Sequence, residues 1–500
     1  MRENAKALPS GDAISWIRRV RGERPPATLE EYLAGFERFF DDFAGRVAYW
    51  RRRNPGYHEG IATLARFYIL PGARVLEVGS GPGDLLASLE PAVGVGVDLS
   101  GLMVKESSAR HPELEFHRAA AERLELPGRQ FDYILLSDLV GYLYDIRAAL
   151  ERLQAVSHPG TRVVIHWYSR LWQPVVHLLE AAGLKYPLPL LNWTTVGDIE
   201  NLLRLAGFET VRSRGHLLLP LRLGPISRWA NRVVAHLPVA RWFVWTNWVV
   251  ARPIARRPRP APSVTVVCPC RNEEGNIADV VRRLPPLGSH TELIFVVGAS
   301  TDDTLGECRR VAAAHADRDI KVLVQTGTGK GDAVRLGLSC ATGDILMILD
   351  ADLSVAPEDL PQFYEAMVSG AGEFLMGSRL VYPMDARAMR FLNLVGNRCF
   401  SLLLSLLIGQ PVKDTLCGTK VIWREDYARL AAGRAHFGDF DPYGDFDLIF
   451  GAAKLNLRIV EIPVRYRERR YGTTNIRRFA DGWRLLRMSA LAARRLFFAA

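Results

Sequence analysis

Short apolar runs recur along the chain, each followed by a stretch with helical spacing. Val75-Leu76-Glu77-Val78, Val93-Gly94-Val95-Gly96-Val97 and Phe131-Asp132-Tyr133-Ile134-Leu135-Leu136 have strand length and are rich in β-branched, aromatic or aliphatic residues. Helical patterns between them predict crossovers joining parallel strands, and so an α/β sheet covered by helices. Near Gly215 this alternation gives way to Leu, Trp, Val and Arg, broken by Pro220, Pro225 and Pro238, and it stays so to Ala251. Arg256-Arg257-Pro258-Arg259-Pro260-Ala261-Pro262 then reads as extended and exposed, because each proline turns its predecessor away from helix. Ser263-Val264-Thr265-Val266-Val267-Cys268 opens a second alternation of strands and helices. The expected organisation is a helical segment over 1–54, a sheet domain with an apolar, basic C-terminal extension over 55–252, and an Arg/Pro linker over 253–262. A second sheet domain over 263–475 and a basic amphipathic tail over 476–500 follow, with no internal repeat relating the halves.

Composition narrows the partners. A chain of 500 residues exceeds one ordinary core, and 48% hydrophobic residues is a globular composition, so two or three domains are expected. A net charge of +10 favours anionic partners such as nucleotide sugars, lipid phosphates or acidic membrane surfaces. No nucleic-acid recognition motif accompanies it, and no nucleic-acid partner is expected. The six cysteines all follow residue 260, with Cys268 and Cys270 the only close pair. That count offers no zinc site and, with no secretory signal, predicts reduced thiols in a cytoplasmic protein. The apolar run Cys399 to Ile408, between Arg398 and Lys413, falls short of the roughly 20 residues that cross a bilayer. It reads equally as an interfacial helix or a core helix. In the tail Arg477, Arg478, Arg484, Arg487, Arg494 and Arg495 alternate with leucines and Phe497. Such a helix either contacts the cytoplasmic face of a membrane peripherally or packs on its own domain.

Two loops carry candidate chemistry. Behind the strand ending at Val78, Gly79-Ser80-Gly81-Pro82-Gly83 spaces three glycines so that backbone N–H groups can approach a ligand closely. Asp98, closing the next strand, is placed to grip a ribose diol with two acceptor oxygens. With Glu77 before the loop, these motifs resemble the class I S-adenosylmethionine-dependent methyltransferases over roughly residues 55 to 212. The resemblance implies a Rossmann-like sheet and S-adenosylmethionine as cofactor. It assigns Glu77, Gly79, Gly81, Gly83 and Asp98 to cofactor binding, and Glu122 to the adenine. Asp138, Tyr142 and His166 stand at strand ends or in the following loops, where a base could sit, and none is singled out.

In the second half, Cys268-Pro269-Cys270-Arg271-Asn272-Glu273-Glu274 closes one strand, and the strand up to Leu349 delivers Asp350 and Asp352 to its carboxyl end. Two carboxylates at i and i+2 can hold a hard divalent cation that neutralises a diphosphate leaving group. With Gly329-Lys330-Gly331, Gly377-Ser378-Arg379 and Arg469-Arg470-Tyr471-Gly472, the ensemble resembles glycosyltransferase family 2, and within it the polyprenyl-phosphate mannosyl- and glucosyltransferases. The resemblance implies a GT-A sheet and inverting transfer from a nucleotide sugar to a polyprenyl-phosphate or glycan acceptor. It places Mg2+ or Mn2+ at Asp350 and Asp352, and nucleotide-sugar contacts at Pro269, Asn272, Glu273, Lys330, Asp350 and Arg469. Arg379, Arg390 and Arg469 would position phosphates. A lipid phosphate needs no base, whereas a hydroxyl acceptor needs one, for which Asp445 or Asp447 is the candidate. Val297 and Gly298 stand where many family members carry paired aspartates, so an acidic contact to the nucleotide falls to Glu273, Glu274 or elsewhere.

The leading expectation is a bifunctional, membrane-associated enzyme. A glycosyltransferase with a non-catalytic methyltransferase-like domain and a membrane-surface scaffold are the alternatives. The two clustered carboxylates, Asp350 and Asp352, speak against the scaffold.

Overall fold

The computed structural model describes residues 9–23, 26, 28–189, 192–237, 239–254, 260–381, 391–434, 444–466, 471 and 486–497, without the side chains of 22–23, 391–398 and 496–497. The backbone divides between Ala255 and Arg256 into two compact units, each an α/β sheet.

The first unit holds seven strands, β1 (Arg74–Val78), β2 (Val93–Asp98), β3 (Glu115–Arg118), β4 (Phe131–Ser137), β5 (Ser157–Tyr168), β6 (Phe208–His216) and β7 (Thr246–Pro253). Their order is β3-β2-β1-β4-β5-β7-β6. The first five run parallel, while β7 is antiparallel to both β5 and β6. Val75 to Val78 and Tyr133 to Leu136 are buried without alternation, as strands covered on both faces must be. The chain runs outward from β1 in both directions, so β1 and β4 flank a topological switch point where such sheets place ligands. The apolar stretch after Gly215 is not merely an extension: Trp248 to Ala251 enter the sheet as a central strand.

Helix Leu29–Arg53 precedes this sheet, capped by the Thr28 side chain, which accepts from Glu31 N at 3.2 Å. Its buried face carries Tyr32, Phe36, Phe39 and Trp50, which pack with Trp16 and Tyr186. Gly35 leaves room for the Trp16 ring, which a Cβ would strike.

The second unit holds β8 (Val264–Cys270), β9 (Thr291–Val297), β10 (Asp319–Val324), β11 (Ile345–Ile348), β12 (Phe374–Ser378), β13 (Lys420–Trp423) and β14 (Ile459–Pro463), in the order β10-β9-β8-β11-β13-β12-β14. Strands β8 to β11 are parallel, and β13 runs antiparallel between β11 and β12. Helix Phe391–Ile408 buries Leu404, Leu407 and Ile408 and exposes Leu402 and Leu406, so it has both a core face and a solvent face. Among the described residues no helix is long and apolar enough to cross a membrane.

Candidate active sites

In the first unit a cavity of about 760 Å³ opens at the carboxyl ends of β1, β2 and β4. Gly79, Gly81, Asp98 and Glu122 all line it, whereas Glu77 and Gly83 stand behind its wall. All three loop glycines have positive φ, +77° at Gly79, +51° at Gly81 and +79° at Gly83, a region side chains disfavour. Their roles differ. A Cβ on Gly83 would meet the Phe116 ring at 2.7 Å, and one on Gly79 would meet Leu139 at 2.9 Å, but at Gly81 nothing lies within 4 Å. Gly81 therefore presents bare backbone to the cavity.

Asp98 fixes this loop. Its Oδ2 accepts from Gly81 N at 2.8 Å and its Oδ1 from Ser100 N at 2.9 Å. Burial raises its carboxyl, against the lowering effect of those two N–H groups. Glu122 Oε1 accepts from Tyr144 N at 3.0 Å. Glu77 is buried beneath the loop with Oε2 lacking any hydrogen-bond partner, and burial pushes its carboxyl up to about 8. An adenosyl group with an amino-acid tail fits the features that face the cavity, which are the open backbone at Gly81 and the two acids Asp98 and Glu122 on its wall.

Opposite the loop, β4 ends at Ser137 and the next residue, Asp138, has a φ of +53°. The Tyr57 hydroxyl donates to it, lying 2.9 Å from Oδ1 and 2.8 Å from Oδ2, and Tyr57 stacks on Tyr168 with centroids 5.3 Å apart. Tyr142 lines the same cavity. His166 does not. It is fully buried 4.6 Å from the Trp248 ring, with Nδ1 3.3 Å from Asp138 Oδ1, and burial lowers it to about 3. It holds the Asp138 turn as a neutral ring. The far wall is aromatic, with Tyr32, Phe36, Phe40, Phe43 and Trp50 of helix Leu29–Arg53, and it includes Lys185. Only the amphipathic spacing of that helix hints at this wall in the sequence.

In the second unit the carboxyl end of β11 gathers a charge cluster. Lys330 Nζ lies 2.5 Å from Asp350 Oδ1. Burial opposes the Lys330 charge, yet Asp350, Asp445 and Asp352 together raise its pKa. Asp352 is buried, and its Oδ1 accepts from Ser354 N at 2.9 Å. Buried Lys420 stands 3.2 Å from Asp445 Oδ1 and also donates to Cys417 O. Gly444, at φ +76°, starts the helix carrying Asp445 and abuts Gly331, where a Cβ would lie 2.8 Å from its Cα. Asp447 sits on the same helix but turns to Arg434, 2.8 Å away.

The remaining predicted residues are dispersed. Arg379 is committed to a buried fork with Asp414, its Nε 2.7 Å from Oδ2 and its Nη2 2.8 Å from Oδ1, and it lies over the Tyr466 ring. That pairing takes the guanidinium edge expected to meet a phosphate. Pro269 is half-buried in β8. Asn272 adopts φ +57° and accepts from Thr301 N at 2.7 Å, tying the ends of β8 and β9. Glu273 accepts from Asn276 Nδ2 at 2.6 Å, and Glu274 from Asp303 N at 3.2 Å, so both acids are engaged locally. Val297 is buried and Gly298 N donates to Cys270 O at 2.9 Å. Arg390 and Arg469 lie outside the described residues, as do Arg477, Arg478 and Arg484. Among the described residues no three His, Cys, Asp or Glu side chains converge as a metal cage. Two carboxylates still suit Mg2+ or Mn2+, which take one or two protein carboxylates and leave other positions to substrate phosphates and water. Sequence patterning assigns no individual role to Lys420, Asp414, Tyr57 or Lys185, and the first three act through partners far away in the chain.

Comparison with known proteins agrees with both halves. Residues 49–213 match a methyltransferase domain family, and residues 265–430 match glycosyl transferase family 2. A low-salt glycan biosynthesis hexosyltransferase of Haloferax volcanii is 29% identical over 244 residues, 48% of this chain and 56% of the relative. The glycosyltransferase AglJ of the same organism is 29% identical over 226 residues, 45% of this chain and 70% of the relative. An undecaprenyl-phosphate 4-deoxy-4-formamido-L-arabinose transferase of Klebsiella pneumoniae is 31% identical over 221 residues, 43% of this chain and 62% of the relative. The chain thus spans little more than half the length of the first of these. One polypeptide joins a methyltransferase domain to a glycosyl transferase family 2 domain.

Proposed function

We propose that the second unit transfers a sugar from a nucleotide sugar to a polyprenyl phosphate, and that the first transfers a methyl group from S-adenosylmethionine. The observation that carries the sugar reading is the Lys330, Asp350, Asp352, Lys420 and Asp445 cluster at the end of β11. A divalent cation bound there supplies charge neutralisation for a departing diphosphate. Asp350 and Asp352 would hold it, Lys330 keeps Asp350 oriented, and Lys420 fixes Asp445 beside them.

The acceptor follows from how the candidate bases are held. Asp445 pairs with Lys420 and Asp447 with Arg434, so each is bound to a cation rather than poised over an incoming hydroxyl. A phosphate oxygen is already anionic and requires no proton acceptor, which favours a lipid phosphate over a glycan hydroxyl. In the first unit Gly81, Asp98 and Glu122 would hold the cofactor, and Asp138 would accept the proton of an oxygen or nitrogen nucleophile.

Incubation with labelled nucleotide sugars and undecaprenyl phosphate tests the sugar reading. Solvent-extractable label that requires Mg2+ or Mn2+ supports it, and label appearing only on a glycan contradicts it. Calorimetric titration with S-adenosylmethionine, repeated on Asp98→Ala, tests the methyl reading. Binding lost in the variant supports that reading, and no binding by the parent refutes it.

A further inference from the structure

Residues 221–243 of the first unit expose a dense set of large apolar side chains. Ile226 and Trp229 on helix Pro225–Arg232 are 64% and 62% exposed, and Val239 and Trp242 in the following segment are 74% and 70% exposed. Leu221, Leu223, Leu237 and Phe243 are exposed among them. Isolated surface leucines need no explanation, but large apolar side chains exposed this densely along one stretch of chain mark an interaction surface. The helix is no loose appendage. It buries Ser227 and Ala230, and Asn231 clamps Leu219 by accepting from its N at 2.7 Å and donating to its O at 3.0 Å.

Charge says what the surface meets. No Asp or Glu occurs between Glu209 and Glu273. Arg222, Arg228, Arg232 and Arg241 are exposed in this segment. Arg222 reaches Glu59 at 3.2 Å, and the other three pair with no carboxylate among the described residues. A recess of about 340 Å³ lies among the arginines, lined by Arg222, Arg228, Arg232, Asn231 and Thr63 and by the Glu59 carboxylate that Arg222 neutralises, with Leu221 at its edge. It offers guanidinium groups and neutral donors beside exposed hydrocarbon. Leu221 also lines the large cavity of the unit.

We propose that the face formed by residues 221–243 docks on an anionic lipid surface, with a lipid phosphate seated among Arg222, Arg228 and Arg232. Tryptophans and arginines interleaved at the edge of an aliphatic patch suit the bilayer interface, where the rings sit at headgroup depth and the cations meet phosphate. A nucleic-acid backbone would satisfy the arginines but leave Leu221, Ile226 and Val239 in water.

Flotation of the full chain with vesicles of phosphatidylcholine plus phosphatidylglycerol, and of phosphatidylcholine alone, tests this docking. The parent is expected to float mainly with the anionic vesicles and to be released by salt. The double variant Arg228→Gln and Arg232→Gln should partition roughly 30-fold more weakly, and Trp229→Ser with Trp242→Ser should lose flotation while keeping the parental thermal midpoint. Should either pair unfold the unit, Arg241→Gln with Phe243→Ser repeats the test from the other side of the patch. A parent that ignores anionic vesicles, or Arg228 and Arg232 variants that float like the parent, would overturn the proposal. So would a parental dimer that the tryptophan variants dissolve, since the face would then be a contact between copies.

Discussion

Lys330 Nζ rests 2.5 Å from Asp350 Oδ1, which ties the first residue of helix Lys330–Cys340 to the turn leaving β11. Gly418 is what leaves room for this pair. A Cβ there would collide with Asp350 Oδ2 and lie 2.6 Å from Lys330 Nζ. Gly418→Ala should therefore displace the pair with little effect on the sheet behind it. Sugar transfer is expected to fall roughly 100-fold, as for other displacements of about 1 Å at a reacting centre. Circular dichroism and sugar transfer measured on one preparation check this. Parental transfer rates in the alanine variant would show that the pair's position is immaterial.

Asp138 sets the expected pH dependence of methyl transfer. Burial raises its carboxyl to about 7, while the Tyr57 hydrogen bond and the Lys185 charge act to lower it. Tyr142, His166, Tyr168 and Glu180 are the other titratable groups around it and its partners. A base works as the carboxylate, so the rate should rise through pH about 7 and level off above it. Asp138→Asn should remove that limb and lower the maximal rate roughly 10²- to 10⁴-fold, with cofactor affinity retained. A variant with an unchanged pH profile would assign the proton to another group.

Glu77 makes a stability prediction with a definite sign. Its folded carboxyl titrates near 8 because of burial, against an unfolded value of about 4.3. The folded state thus holds a proton that the unfolded state has released, and stability falls as pH rises from about 4.3 through 8. Glu77→Gln cannot ionise, so its thermal midpoint should exceed the parent's by several degrees at pH 9 and match it at pH 4. Melting curves of both proteins across that range would show the two lines converging in acid.

Much of this architecture is legible in the chain because its strands are short, apolar and bounded by glycine or acids. Val75 to Val78 and Val93 to Val97 are strands in the structure, and the loop between them reaches the cavity through Gly79 and Gly81. Strand β7 is less legible. Trp248 to Ala251 is an apolar run among prolines and arginines, and only its pairing with β5 and β6 makes it a strand rather than a surface extension. The same limit hides side-chain partners. Arg379 reads as an available cation until Asp414, 35 residues on, folds against it. Lys420 gains its partner only when its strand places it beside Asp445.

Asp350 and Asp352 are proposed to make a working, metal-dependent nucleotide-sugar site. Thermal unfolding with UDP, GDP and their common sugar conjugates, with and without Mn2+, tests it on the parent and on Asp352→Asn. A ligand that binds the folded state raises the midpoint by mass action. A Mn2+-dependent rise is expected with one nucleotide, and it should disappear in Asp352→Asn. A parent with no rise for any of them, or a rise that Asp352→Asn keeps in full, would contradict it.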